Sequence, residues 1–231
     1  MDVTEAIKSR RSIRAYRPDP VPREVLEQIL EAARWAPSAD NSQPWELAVL
    51  TGKPLVELGQ MLAEKMGVVE TFRPDIPFPF PNYPPFYLNR CKENGRRLFE
   101  ALGIDRKDME KRMQWAKFAM RFFDAPAAII VFVEKALGAY AILDAGMFLQ
   151  NLNLACRNHG LGTCVEMAVV FYPEMLRRML NIPESKLILC GLAIGYPDES
   201  TPANKFQTLR EPVESFATWH GFSEQTCSSP P

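Results

Sequence analysis

Between residues 22 and 37, "PREVLEQILEAARWAP" carries Val25, Leu26, Ile29, Leu30 and Ala33 at intervals that place them on one face of a helix. Pro22 suits the first turn of that helix, and Pro37 stops it. A shorter helix is predicted in "DVTEAIKSRR", and another in "GKPLVELGQMLAEKM" after the strand candidate "WELAVLT" (45–51). "DAPAAIIVFVE" and "KLILCGLAIGYP" are apolar runs that predict buried strands. "LGTCVEMAVV" is predicted as a further strand and "YPEMLRRML" as a short helix. The segment "YAILDAGMFLQNLNLACRNHG" is a helix apolar on nearly every side, which belongs in the centre of a fold or in a subunit interface. Helices and strands mix without a strict βαβ alternation, so the predicted class is α+β.

Two regions break the pattern. "FRPDIPFPFPNYPPFYLNR" (72–90) holds six prolines between Pro74 and Pro85, which argues against helix and central strand and predicts an extended loop studded with aromatics. Such a loop packs on the domain, or across a dimer surface, or closes over an aromatic ligand. The final "SEQTCSSPP" (223–231) is predicted to be a flexible tail.

The chain has 231 residues, enough for one compact domain, which is assigned to residues 1–222. Its 27 basic and 28 acidic residues balance, so no overall field attracts nucleic acid or an anionic membrane. No apolar run reaches the length of a bilayer span and the start lacks a signal-peptide core, so the expected location is cytoplasmic. The five cysteines are odd in number and show no CxxC pairing, which suits reduced core thiols.

Two histidines, His159 and His220, are poor material for a triad or a histidine-rich metal site, and no metal is expected. His159 precedes Gly160 at a predicted helix end, where it complements the helix dipole. "GLGTC" lacks the third glycine and the strand-then-helix context of a dinucleotide fingerprint. The acids of "YPDES", Asp198 and Glu199, read as solvated turn residues.

Against this background "SRRSIRAYRP" (9–18) stands out. If the first helix runs past Ser9, Arg10, Arg14 and Arg17 share one side with the Ser12 hydroxyl nearby, either as a phosphate clamp or as a solvated helix end. "WAPSADNSQPWE" (35–46) adds a stiff turn presenting Ser38, Asn41, Ser42 and Gln43.

These two stretches, together with "GYPDES" and "NKFQTLREP" near the end, resemble the FMN-dependent nitroreductase family in order and spacing over almost the whole chain. The resemblance implies a nitroreductase-like fold: a central mixed sheet flanked by helices, in an intertwined homodimer with two FMN sites. It implies that Arg10 and Ser12 bind the FMN phosphate and ribityl chain with Arg11 alongside, and that Arg14 points at the pyrimidine edge of the ring. Arg210 matches a second phosphate ligand, and Pro37, Ser38 and Asn41 match a turn reaching FMN from the other subunit. Glu166 and Met167 match the stretch beside flavin N5. For the dimer, Gly138, Ala141, Ala145 and Gly146 would let another backbone approach the apolar helix closely.

The implied reaction is ping-pong: hydride from NADH or NADPH passes by way of the flavin to an electron-poor acceptor such as a nitroaromatic or quinone. A lid-like insertion over residues 67–123, including "MRFFDAP", resembles that of the nitroaromatic and nitrobenzoate reductase branch. Phe86, Tyr87, Trp115, Phe118 and Phe122 are candidate stacking residues for a flat aromatic substrate, and Arg90 a candidate partner for its carboxylate. The same scaffold is compatible with another flavin reaction (reductive dehalogenation, enone reduction or flavin destruction), or with a non-catalytic flavin-binding redox sensor. A flavin-free structural domain, with the arginines as a solvated face, is the third reading.

Overall fold

A computed structural model of the chain describes residues 2–67, 73–78 and 80–222. Four strands, β1 (Glu46–Thr51), β2 (Ala127–Glu134), β3 (Gly162–Glu166) and β4 (Lys186–Gly195), form a sheet in the order β1-β2-β4-β3. All three pairings are antiparallel. A parallel bridge joins Ser12 to Thr163, so the mixed character expected of the sheet is confined to its β3 edge.

Antiparallel sheets commonly leave one face wet and then alternate apolar with polar residues. Here both faces are covered, which is why β2 and β4 are continuous apolar runs. Ala127, Ile129, Val131 and Val133 face a core built with α2 (Arg23–Ala33) and α6 (Gly138–Asn158). Ala128, Ile130 and Phe132 face a second core with α3 (Gly52–Lys65), α5 (Met109–Met120) and α7 (Pro173–Leu180). The helix α6 lies on the sheet through Ala141, Ala145, Phe148 and Leu152, while Tyr140, Ile142 and Leu143 stay exposed. Ala141 and Ala145 are therefore taken up by the chain's own core, and Gly138 and Gly146 have open space where a side chain would stand.

Helix α1 (Val3–Ser9) ends at Ser9, earlier than a helical arginine face requires. Beyond it the sheet edge captures the backbone: Ile13 N–H donates to the Thr163 carbonyl and Arg17 N–H to the Tyr196 carbonyl, each at 2.9 Å. Gly162 permits the close approach, because a Cβ there would lie 2.4 Å from Ile13 Cγ1.

The loop predicted over 72–90 is corrected at its end. Pro85 opens a helix, α4 (Pro85–Ala101), occupying the N-terminal position where its missing N–H costs nothing. Strand β3 also stops sooner than predicted, at Glu166, and Ala168–Phe171 form a short 3-10 turn. The tail 223–231, and residues 68–72 and 79 of the insertion, lie outside the described residues.

Candidate active site

The extended chain after α1 turns the arginines in a way a helix would not. Residues two apart in extended backbone face the same way, and Arg10, Ser12 and Arg14 open onto one cavity of about 840 Å³ while Ile13 is buried. Arg17 leaves the group: it pairs with Asp19 at 3.0 Å and lies over the Tyr196 ring. Arg11 lines the cavity but is ion-paired with Glu199 at 2.6 Å, so Glu199 is more than a solvated turn residue.

Asn204, fully buried in the short helix α8 (Pro202–Lys205), holds this stretch in place. Its amide accepts from Arg14 N–H at 2.7 Å and donates to the Ala15 carbonyl at 2.7 Å. The chain then runs past Thr208 to Arg210, which enters the same cavity and donates to the Leu209 carbonyl at 2.8 Å. No carboxylate among the described residues pairs with Arg10, Arg14 or Arg210. Burial and the like charge of Arg210 push the Arg10 guanidinium below its ordinary value. Cations left without a paired carboxylate make a cradle for an anion.

Strand β3 is bridged to this stretch at Ser12 and Thr163, but neither its residues nor Met167 line the cavity. Cys164 and Glu166 are buried on its inner side, with Cys164 Sγ donating to Glu166 Oε1 at 2.9 Å, whereas Met167 is exposed. Burial pushes the Glu166 carboxyl up to about 7, partly offset by the Cys164 hydrogen bond and by Arg14.

The turn Pro37–Asn41 is not at this cavity. Asp40, Asn41 and Gln43 all take positive φ (49°, 56° and 47°), a region asparagine and aspartate tolerate better than most residues. The Ser38 hydroxyl accepts from Gln43 N–H at 3.0 Å, and Asp144 of α6 accepts from Ala39 N–H at 3.1 Å. Pro37 and Asn41 are exposed and Ser38 is half-buried, so the turn is built and presented outward.

The candidate aromatic residues separate into two groups. Phe86 and Tyr87 on α4 are exposed, with ring centroids 5.5 Å apart. Arg90 stacks over Phe86 at 4.1 Å, pairs with Glu211 at 3.0 Å and reaches the arginine cavity. Phe122 is corrected: it is fully buried, and a Cβ on Gly191 would lie 2.8 Å from its ring. Trp115 and Phe118 pack against the same core in a cluster with Phe123 and do not line the cavity. "MRFFDAP" turns sharply at Phe122–Asp124, with all three residues at positive φ, and this drives both phenylalanines inward.

The family model described as Nitroreductase matches residues 7–196. The chain belongs to the nitroreductase family. It is 33% identical to a nitrobenzene nitroreductase of Ectopseudomonas oleovorans over 94% of this chain and 96% of the relative. It is 31% identical to a 4-nitrobenzoate reductase of Pseudomonas putida, covering 96% of each. Among solved structures, the FMN and NADPH-dependent nitroreductase NfnB of Sphigopyxis sp. strain HMH superposes with a TM-score of 0.91 at 31% identity, over 96% of this chain and 100% of that one. The FMN-dependent nitroreductase NfnB of Mycobacterium smegmatis, in complex with NADPH, superposes with a TM-score of 0.88 at 29% identity, over 94% and 97%.

In this nitroreductase the cavity has a wall that the sequence reading missed. Helix α4 sends Arg90, Asn94 and Arg97 into it, spaced four and three residues apart along one face. The signal was present in "RCKENGRR", and it becomes legible once Pro85 is taken as a helix start. Among the described residues, no helix is long and apolar enough to cross a membrane.

Proposed function

We propose that the protein is an FMN-dependent, NAD(P)H-consuming nitroreductase of nitroaromatic compounds. The observation that carries this is the cradle of Arg10, Arg14 and Arg210, none of them ion-paired with a carboxylate among the described residues, opening onto one cavity beside an edge strand. Its donor chemistry fits a phosphate ester: guanidiniums bind phosphate in paired hydrogen bonds and stay charged, and the Ser12 hydroxyl adds a neutral partner. A cavity of about 840 Å³ also suits a ligand of cofactor size.

Arg10, Arg210 and Ser12 would hold the phosphate, with Asn94 and Arg97 of α4 beside them, and Arg14 would face the ring. Bound there, FMN supplies the redox chemistry, accepting hydride from a nicotinamide and passing it to the acceptor. Arg14 supplies a positive charge that needs no titration, and Met167 offers an exposed apolar side chain beside Glu166 at the strand end. On the lid-like insertion of the single domain 1–222, Arg90 reaches the cavity, and Phe86 and Tyr87, exposed beside it on α4, would receive a flat acceptor.

The assembly proposed is a homodimer in which a second copy brings its Pro37, Ser38 and Asn41 to the ring. Supporting it are the exposed apolar residues of the C-terminal arm, Leu209, Phe216, Trp219 and Phe222, at 71%, 73%, 65% and 74% exposure, far more than an arm packed on its own domain would leave.

The test is the visible spectrum of the purified protein, release and chromatography of the chromophore, and anaerobic titration with NADPH and with NADH. FMN at one per chain that bleaches with a nicotinamide and recolours with nitrobenzene or 4-nitrobenzoate is the expected result. A protein that stays colourless after incubation with FMN overturns the proposal. Bound FMN that neither nicotinamide bleaches favours the redox-sensor reading.

A further inference from the structure

Glu166 is a buried carboxyl without a cation at hydrogen-bond distance among the described residues. It is 8% exposed, and its recorded partner is the Cys164 thiol on the same face of β3. Its partner on β4 is Gly191, flanked by Phe122 and Val169, and these bring no charge. The extended chain bridged to β3 at Ser12 and Thr163 carries Arg14 and Tyr16, and both interact with Glu166 electrostatically. The Tyr16 hydroxyl donates to the Ile13 carbonyl at 2.8 Å, and burial raises it so far that it stays neutral. The Cys164 thiol is likewise held neutral, first by burial and then by the Glu166 charge. The remaining charge that acts on Glu166 is Arg14, which also lines the arginine cavity.

We propose that Glu166 is a positioning residue whose proton decides how much of the Arg14 charge reaches a ligand in the cavity. Protonated, Glu166 leaves the guanidinium to face the ligand with its full charge. Ionised, it offsets part of that charge from the protein side. The inference rests on the FMN reading for its consequence: with Glu166 ionised, the negative charge that arrives with reducing electrons is less well stabilised, and the bound cofactor becomes harder to reduce. Burial raises the carboxyl to about 7, so the change falls near neutral pH.

Two measurements test this on wild-type protein and on Glu166→Gln, which keeps the shape and removes the proton. In FMN-free protein, the infrared difference between the two should contain a buried carboxylic-acid band at about pH 6 that is gone by about pH 8.5. In FMN-loaded protein, the reduction potential should fall more steeply with pH in wild type than in Glu166→Gln. The expected extra loss across that range is about tenfold in the reduction equilibrium, or about 30 mV for a two-electron couple. Cys164→Ala removes a hydrogen bond that favours the carboxylate, so it should move the midpoints of band and potential upward together; it also carries the test if Glu166→Gln fails to fold. Absence of the acid band throughout, or parallel potential profiles in FMN-loaded proteins, overturns the switch alone. Failure to take up FMN defeats the cofactor reading and the switch with it, and is seen in the visible spectrum before any profile is measured.

Discussion

Asp144, buried in α6, accepts the backbone N–H of Ala39 at 3.1 Å and so ties the Pro37–Asn41 turn to the helix that runs across the sheet. A turn with two residues at positive φ, Asp40 and Asn41, and a third just beyond it at Gln43 is poorly held by its own preferences, and this carboxylate supplies a fixed acceptor. Asp144→Ala should cost about 1–3 kcal/mol and reduce the FMN retained per chain although the arginine cradle is untouched. Asp144→Asn keeps an acceptor oxygen and should recover most of both. Thermal melts and the cofactor-to-protein ratio check this.

The arginines divide by their partners. Arg10 and Arg210 face the cavity with no carboxylate paired to them among the described residues, whereas Arg11 is engaged with Glu199. Arg10→Ala and Arg210→Ala should each weaken FMN binding about 10–100-fold, the range expected for loss of a charged hydrogen bond. Arg11→Ala should weaken it less than either. Fluorescence titration with FMN gives all three constants.

Phe122 belongs to the core, with no exposure and its ring against Gly191. Phe122→Ala should therefore cost about 3–5 kcal/mol in denaturant unfolding. Any FMN-loaded protein that survives should keep its KM for the nitroaromatic. Phe86→Ala, on the exposed face of α4, should do the reverse, raising KM with little change in stability.

Glu166 gives stability a pH dependence of definite sign. Its carboxyl is raised from 4.5 to about 7, so the folded state holds a proton that the unfolded chain gives up. That contribution is fully present below about pH 4.5 and is lost as pH rises through about 7, a change of about 3 kcal/mol. Wild type should lose this much stability relative to Glu166→Gln between those limits. Urea unfolding of both proteins at matched pH values measures the difference.

Much of the frame was readable from local pattern. The helices starting at Arg23, Gly52 and Pro173 and the strands β1, β2 and β4 fall where spacing and apolar runs put them, because each buries its own stripe or run. Near the site, several residues were misplaced where a distant partner overrides local preference. "SRRSIR" can extend a helix, but the edge of β3 and the missing Cβ of Gly162 draw it out straight. Arg10, Ser12 and Arg14 then come together by alternation instead of by helical spacing. Prolines hid α4 because Pro85 opens a helix as readily as it breaks one, and Asn94 and Arg97 were hidden with it.

Composition, charge balance and the order of motifs were thus in the chain itself, since they depend only on which residues occur and how far apart. Which arginines stay unpaired, whether Phe122 faces a ligand or the core, and that Glu166 lies buried beside Cys164 and close to Arg14 were decided by folding. Each of these depends on contacts between residues far apart in sequence, such as Arg11 with Glu199 or Phe122 with Gly191. No local pattern records such a contact, because burial and electrostatics belong to the assembled surface and not to the residue.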